Sequence, residues 1–298
     1  MDVLDWISGF TGWLTKERLL LLAIPVPIVM YFLGKREELG WNAIQNTSAT
    51  ILVMVINYAV MITCHKEINA VAQAGYDALN IPRLPADFWA TTPLWATSIL
   101  ALAAKDLADY TIHRLMHSTR WLWPAHAAHH SDTHVNVFTT FRVHYFEVVL
   151  MSFTYIIMLT WLQMPEVIPI ATTLSLAHNM YVHLNVGWTH GPLRYVIASP
   201  AFHRWHHADA PEAYGKNLAN IFSFYDVIFG TYYMPRACDK PMGALSSGIE
   251  DKNPILIWLY PFQEWARLLR ETARGMAARR AAPRDAAAEE RPSVIPGE

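Results

Sequence analysis

The chain alternates long apolar runs with short polar stretches, and that alternation sets its organisation. Residues 19–33 are apolar throughout, bracketed by Lys16 and Arg18 on one side and by Lys35 and Arg36 on the other. The run is shorter than the roughly 20 residues of a spanning helix, and Pro25 and Pro27 predict a kink, so it is expected to be embedded in a membrane. Residues 48–63 form a second run, interrupted only by Asn57, and 65–86 read as a polar loop with Pro82 and Pro85. The third run, 88–104, passes without a breaker into 105–117, which predicts one long helix carrying His113 and His117 on its far end. Pro124 forces a break before 126–130. Residues 146–162 form the fourth run, and Pro165 and Pro169 turn it into a fifth that ends near His183. Two helices thus run away from a histidine-bearing layer and back to it.

Beyond residue 190 the chain is more polar until 253–272, an amphipathic stretch expected to lie on a membrane surface. The Ala-, Arg- and Glu-rich residues from Gly275 onward are expected to be disordered. The pattern predicts an all-α integral membrane protein with four to five membrane-embedded helices under a histidine-rich cap. The expected divisions are 1–87 for the N-terminal membrane segments, 88–240 for the catalytic unit, 241–274 for the interfacial helix and 275–298 for the tail.

Composition agrees with that picture. Hydrophobic residues make up 53% of the 298 and charged ones 16%, against about a quarter charged in soluble domains. Twelve Trp and thirteen Tyr suit aromatic belts at membrane interfaces. A formal charge of −2 argues against a nucleic-acid partner, which a basic surface would recruit. Cys64 and Cys238 support neither a disulfide framework nor a thiolate metal site. The opening MDVLDW lacks the basic region of a cleaved signal peptide, so insertion is expected to use an internal apolar segment. Arg114, Arg120, Arg142, Arg194, Arg204, Lys216, Arg236 and Lys240 fall on the histidine side, which the positive-inside rule places in the cytoplasm.

The chemistry is concentrated in histidine. Five fall within 113–130, as HxxxH and then HxxHH, and 203–207 repeats the HxxHH form. Residues three and four apart share a helix face, and neutral imidazole is the commonest metal ligand. Eight or more histidines exceed the four ligands of a structural zinc, so two ions are expected. Iron suits such a site, and copper and zinc also accept imidazole. Compensating carboxylates are expected to receive imidazole N–H groups, with Asp106, Asp109, Asp132, Asp209 and Asp226 as candidates.

The stretch DLADYTIHRLMH, eight residues, then HAAHHS resembles the membrane-bound fatty acid hydroxylase/sterol desaturase superfamily. The likeness continues at Asn136 and Arg142, then in HLNV (183–186), GPL (191–193), SPAFHRWHH (199–207) and KNLANIFSFYDVIFGTYY (216–233). It implies a non-haem diiron centre that uses O2 and two external electrons to hydroxylate or desaturate a C–H bond of a lipid. By position it implies His113, His117, His126, His129, His130, His178, His183, His203, His206 and His207 as metal ligands. Asp106, Asp109, Asn217 and Asp226 would support them. Where the family carries Tyr-Gly this chain has Leu218-Ala219, beside the expected lid over the metals. No haem- or flavin-binding extension is evident, so a separate electron donor is expected, such as a cytochrome b5-like protein, a ferredoxin or a reductase. Trp121, Trp123, Phe138, Phe141 and Trp205 are candidates for lining a lipid channel.

A zinc-binding membrane scaffold or a metal transporter is the alternative from another class. A transporter needs ionisable residues within its spans, and the runs 19–33, 48–63 and 146–162 are read as lacking them.

Overall fold

A computed structural model describes residues 41–281 except 86, 165, 166 and 250. The expectations for the run 19–33 and for the tail beyond 281 lie outside the described residues. Eight α-helices carry the described chain: α1 (Trp41–Ala78), α2 (Leu94–Ser118), α3 (Trp123–His130), α4 (Tyr145–Trp161), α5 (Ile168–Val182), α6 (Pro200–His206), α7 (Phe224–Phe229) and α8 (Pro254–Ala281). Among the described residues there is no β-strand, only an isolated bridge between Ala208 and Met242. No helix among them is long and apolar enough to cross a membrane.

The second apolar run and residues 65–78 of the expected loop after it are one helix. Residues 65–78 include four Ala, the residue that most favours helix, and no proline intervenes before Pro82. The helix stops at a left-handed Asn80 (φ 50°), with the amides of Leu79 and Ile81 returning to the carbonyls of Gly75 and Tyr76, as helix C-termini commonly do. The following segment is tied to the end of α4. The indole of Trp161 donates to Pro82 O, and that of Trp89 to Leu162 O.

α2 is the long helix read from the third run, although residues 88–93 precede it as turns. It ends at Thr119, whose backbone is extended, and Pro124 sits in the first turn of α3. There its missing N–H costs nothing. α4 leaves the histidine layer at Tyr145 and α5 returns to it at Val182. Ala101, Ala108, Tyr155, Ile156, Leu159 and Ala171 join α2, α4 and α5 in one core, which also takes in Ile68 of α1. A second core sets Ala127 and Ala128 of α3 against Ala49 and Val53 of α1 and Ile257 and Tyr260 of α8. The two small alanines let both long helices approach the short helix that carries three histidines.

α8 takes in all but the first residue of the amphipathic stretch 253–272. One face packs beneath α3, where the Trp265 indole donates to Trp121 O at 2.7 Å, while Ile255 and Leu269 remain exposed. It also continues to Ala281, through residues expected to be disordered.

Candidate metal centre

Helix geometry deals the histidines into two groups. On α2, His113 and His117 are one turn apart. On α3, His126 and His130 share their face and meet His206 of α6, so that His113, His117, His126, His130 and His206 converge. The second group is His129, His183, His203 and His207. Each HxxHH helix therefore serves both groups: α3 gives two histidines to the first and one to the second, and α6 the reverse. Within each group the ligand atoms lie within 4.8 Å of one another. The groups are adjacent, with the rings of His130 and His207 stacked at 4.6 Å.

The ring nitrogens show what the site is built to hold. His113 Nδ1 donates to Leu218 O at 2.6 Å, His183 Nδ1 to Asn179 O at 2.7 Å and His206 Nδ1 to Lys216 O at 2.9 Å. His126 Nδ1 meets Glu147 Oε1 at 2.8 Å. A proton placed on Nδ1 leaves a lone pair on Nε2. Yet Nε2 of His113 lies 2.9 Å from Nε2 of His126, and Nε2 of His183 lies 3.1 Å and 3.2 Å from those of His203 and His207. The buried Nε2 atoms of His117 and His206 have no hydrogen-bond partner. Lone pairs aimed at one another in a dry interior repel unless a cation sits among them. Burial holds the imidazole pKa values down, to about 4 for His113 and His183 and well below the usual value for the other seven. The rings are neutral at pH 7, the state that binds metal. The donor set fits two imidazole-bound metal ions.

His178 joins neither group. It precedes His183 by five residues, about 140° around a helix, and both of its ring nitrogens are buried without a hydrogen-bond partner. His134, His144 and His190 also stand apart: Thr133 partners His134, Trp258 O accepts from His144, and Tyr181 pairs with His190.

The supporting acids act differently from the expectation. Asp106, Asp109, Asp132, Asp209 and Asp226 direct their hydrogen bonds elsewhere than to the converging imidazoles. Asp226 accepts the amides of Leu218 and Ala219 at 2.7 Å and 2.8 Å, and the hydroxyl of Thr231. Asp106 accepts the amides of Ile221 and Phe222. Asn217, in a left-handed conformation (φ 56°), donates to Phe202 O and Tyr233 O and accepts from Tyr233 N. These side chains hold the loop 216–222, and its carbonyls orient His113 and His206. Asp109 is bound to Lys105. Asp132 accepts from Thr139 and from the His134 amide, and Asp209 from Tyr214.

Glu147 is the carboxylate that does meet a converging histidine. It stands inside the run 146–162, which therefore carries an ionisable group contrary to the expectation, hidden in the sequence by its apolar neighbours. Arg142, fully buried, donates to Ser131 Oγ, to Asn46 and to Asp251 O. It thereby ties α1 and the start of α8 to the end of α3. Asn46 in turn bonds Asp132, a link across 86 residues that no local pattern announces.

A cavity of ≈ 240 Å³ opens beneath the groups, reached by His113, His126, His129 and His203. Its walls come from α2, α4 and α5. The five aromatics expected to line a channel are absent from it, and Trp205 is buried in a core with Phe202 and Ala201.

Residues 98–231 match the model of the fatty acid hydroxylase family. The chain is similar to alkylglycerol monooxygenase of Homo sapiens, 27% identical over 185 residues, covering 61% of this chain and 38% of that protein. The same enzyme of Danio rerio is 30% identical over 133 residues, or 45% and 30% of the two chains. An ornithine lipid hydroxylase of Rhizobium tropici is 30% identical over 156 residues, or 50% and 45%. The chain spans less than half the length of each of these relatives. No solved structure matches it significantly.

Proposed function

Because residues 98–231 belong to the fatty acid hydroxylase family, we propose that the chain is a membrane-embedded, O2-dependent lipid oxygenase that hydroxylates, or desaturates, a C–H bond. The observation that carries the reading is the convergence of nine imidazoles, most of them buried, in two adjacent groups above a cavity. Two iron ions would be held by His113, His117, His126, His130 and His206 and by His129, His183, His203 and His207. When bound they supply O2 reduction and C–H oxidation, with electrons from a separate donor protein. The protein's own part is to keep the imidazoles neutral, orient them through Leu218 O, Lys216 O, Asn179 O and Glu147, and exclude water from the dry interior between the groups. Relatives named for alkylglycerol and ornithine lipid support a lipid substrate. Membrane embedding is supported by the composition and by exposed apolar side chains such as Ile99, Leu100 and Phe153 on α2 and α4. Excess Lys and Arg on the histidine side supports a cytoplasmic face for the metals.

The test is metal analysis of detergent-purified protein, O2 uptake on reduction, and comparative lipidomics of cells with and without the gene. About two irons per chain, O2 consumption and a lipid gaining 16 mass units are expected. One zinc or none, with no O2 uptake, would favour the scaffold reading.

A further inference from the structure

α8 has two apolar faces, and the described residues cover one of them. Ile257 and Tyr260 are buried in one core with Ala127 and Ala128 of α3, and Leu268 is buried on the same side. Ile255, Phe262, Leu269 and Met276 recur every seven residues, which sets them in a row along another side of the helix. All four are exposed, Ile255 by 65% and Leu269 by 61%. A contiguous exposed apolar patch marks a contact surface. The row also has a defined level. Phe262 packs 5.7 Å from Phe146, in the first turn of α4. The Trp265 ring lies 4.9 Å from Phe146, and its indole donates to Trp121 O just beyond the end of α2. The row therefore runs past the ends of α2 and α4 that face the histidine layer, with indoles beside it as at a membrane interface. Positive charge brackets it. Both carboxylates of α8, Glu264 and Glu271, bind the one Arg267, at 2.7 Å and 2.6 Å. Arg270, which donates to Ala266 O, and Arg274 are left with no carboxylate partner among the described residues. At 3.6 residues per turn these two lie on the flank of the row turned away from α3. On the other flank Arg120, exposed and likewise without a carboxylate, donates to Thr272 Oγ1 at 3.4 Å.

We propose that α8 docks on an anionic lipid leaflet, with its exposed row in the acyl layer and Arg120, Arg270 and Arg274 at the headgroup phosphates. A helix lying in the interface binds through its buried apolar area together with attraction to anionic lipid, and α8 presents both on one side. Long arginine stems let the guanidinium groups stay at headgroup level while the row is buried. A zwitterionic leaflet offers the same acyl layer but no net charge to three cations that lack carboxylates. A second copy of this chain fits worse. A two-fold contact sets a surface against itself, and here it sets arginine flanks against arginine flanks, with both acids of α8 already held by Arg267. The lipid assigned here is bound and not oxidised, so the proposal goes beyond the oxygenase reading. It rests on that reading only for the chain's place in a bilayer.

The test puts a nitroxide label on Leu269→Cys or Met276→Cys in the full-length chain, with Cys64→Ser and Cys238→Ser, in nanodiscs of phosphatidylcholine alone or mixed with phosphatidylglycerol. Collision with O2, which concentrates in the acyl layer, and with a water-soluble nickel chelate reads the depth of the label. Asp239→Cys, at an exposed position, is the aqueous reference. In the mixed nanodiscs both α8 labels are expected to meet O2 more than nickel, the reverse of the reference. One basic residue near an anionic surface is worth about fivefold in the ratio of docked to undocked helix. Arg274→Gln should therefore lower that ratio about fivefold and Arg120→Gln/Arg274→Gln further, and added salt should do the same to the unmutated chain. Nickel access at Leu269 equal to that of the reference overturns the docking. So does shielding from both reagents, and dipolar broadening between labels would then identify a second copy as the occupant. Equal depth in the two lipid mixtures and in the arginine variants overturns the choice of anionic lipid. A chain that will not enter nanodiscs defeats the membrane-embedded reading instead, and vesicles of the same two compositions added to the purified chain then decide the docking.

Discussion

Glu147 Oε1 lies 2.8 Å from His126 Nδ1, and both side chains are buried. It is a carboxylate contact to one of the nine converging imidazoles, whereas Nδ1 of His113, His183 and His206 meets backbone carbonyls and that of His183 also the Thr140 hydroxyl. A carboxylate on the far nitrogen makes a metal-bound imidazole more basic and fixes its tautomer. Glu147→Gln keeps an acceptor for His126 but removes the charge, and is expected to lower metal affinity about 10–100-fold. Chelator competition on the purified protein measures it, and unchanged affinity would show that the charge is immaterial.

The two groups predict a stepwise loss of metal. His126→Ala removes a member of the first group only, and His203→Ala a member of the second only. Each single variant should retain close to half the metal of the parent, and the double variant little. A single site would instead be emptied by either change. Metal content by plasma emission spectrometry distinguishes the patterns.

Arg142 carries a buried charge bonded to Asn46, Ser131 and Asp251 O. Arg142→Met leaves those acceptors and the neighbouring Asp132 without their cation. Breaking such a buried network costs about 3–5 kcal/mol. Arg236, an exposed partner of Asp239, provides the contrast, because a surface pair is worth about 0–1 kcal/mol. Thermal unfolding of Arg142→Met and Arg236→Ala should show a large shift for the first and almost none for the second.

His144 gives a pH test that is separate from the metal groups. It caps α4 by accepting from Phe146 N, and its other nitrogen donates to Trp258 O. Burial pushes its pKa down to about 4 from the usual 6.5. The unfolded chain therefore takes up this proton near pH 6.5 while the folded chain resists it, so the site's contribution to stability is complete above about pH 6.5 and declines as pH falls toward 4. His144→Asn, which retains a capping acceptor, should make the loss of stability between pH 6.5 and 4 shallower. An identical slope in the two proteins would refute the assignment.

Much of this protein follows from short-range pattern. The sharing of faces by His113 and His117, and by His126 and His130, is a property of any helix, and so was visible in the spacing. The same holds for α4 leaving the histidine layer and α5 returning to it, because apolar run length and proline position are local. The continuation of α1 through 65–78 was hidden because a polar surface helix and a polar loop share composition.

Tertiary structure decided the rest. Which histidine joins which group depends on how α2, α3 and α6 cross, and that depends on small residues such as Ala127 and Ala128 meeting other helices. The exclusion of His178 is a matter of direction around α5, not of residue type. Imidazole orientation falls largely to backbone carbonyls, which every residue possesses and no motif marks; Asp226 and Asp106 act one step removed, by fixing the loop that presents them. Glu147 was concealed by its apolar neighbours, and Asn46 reaches Asp132 and Arg142 only because the fold brings its helix there. The sequence determined which atoms were available to bind metal, since side-chain chemistry is local. Only the fold could bring their lone pairs together, since that depends on distances between segments far apart in the chain.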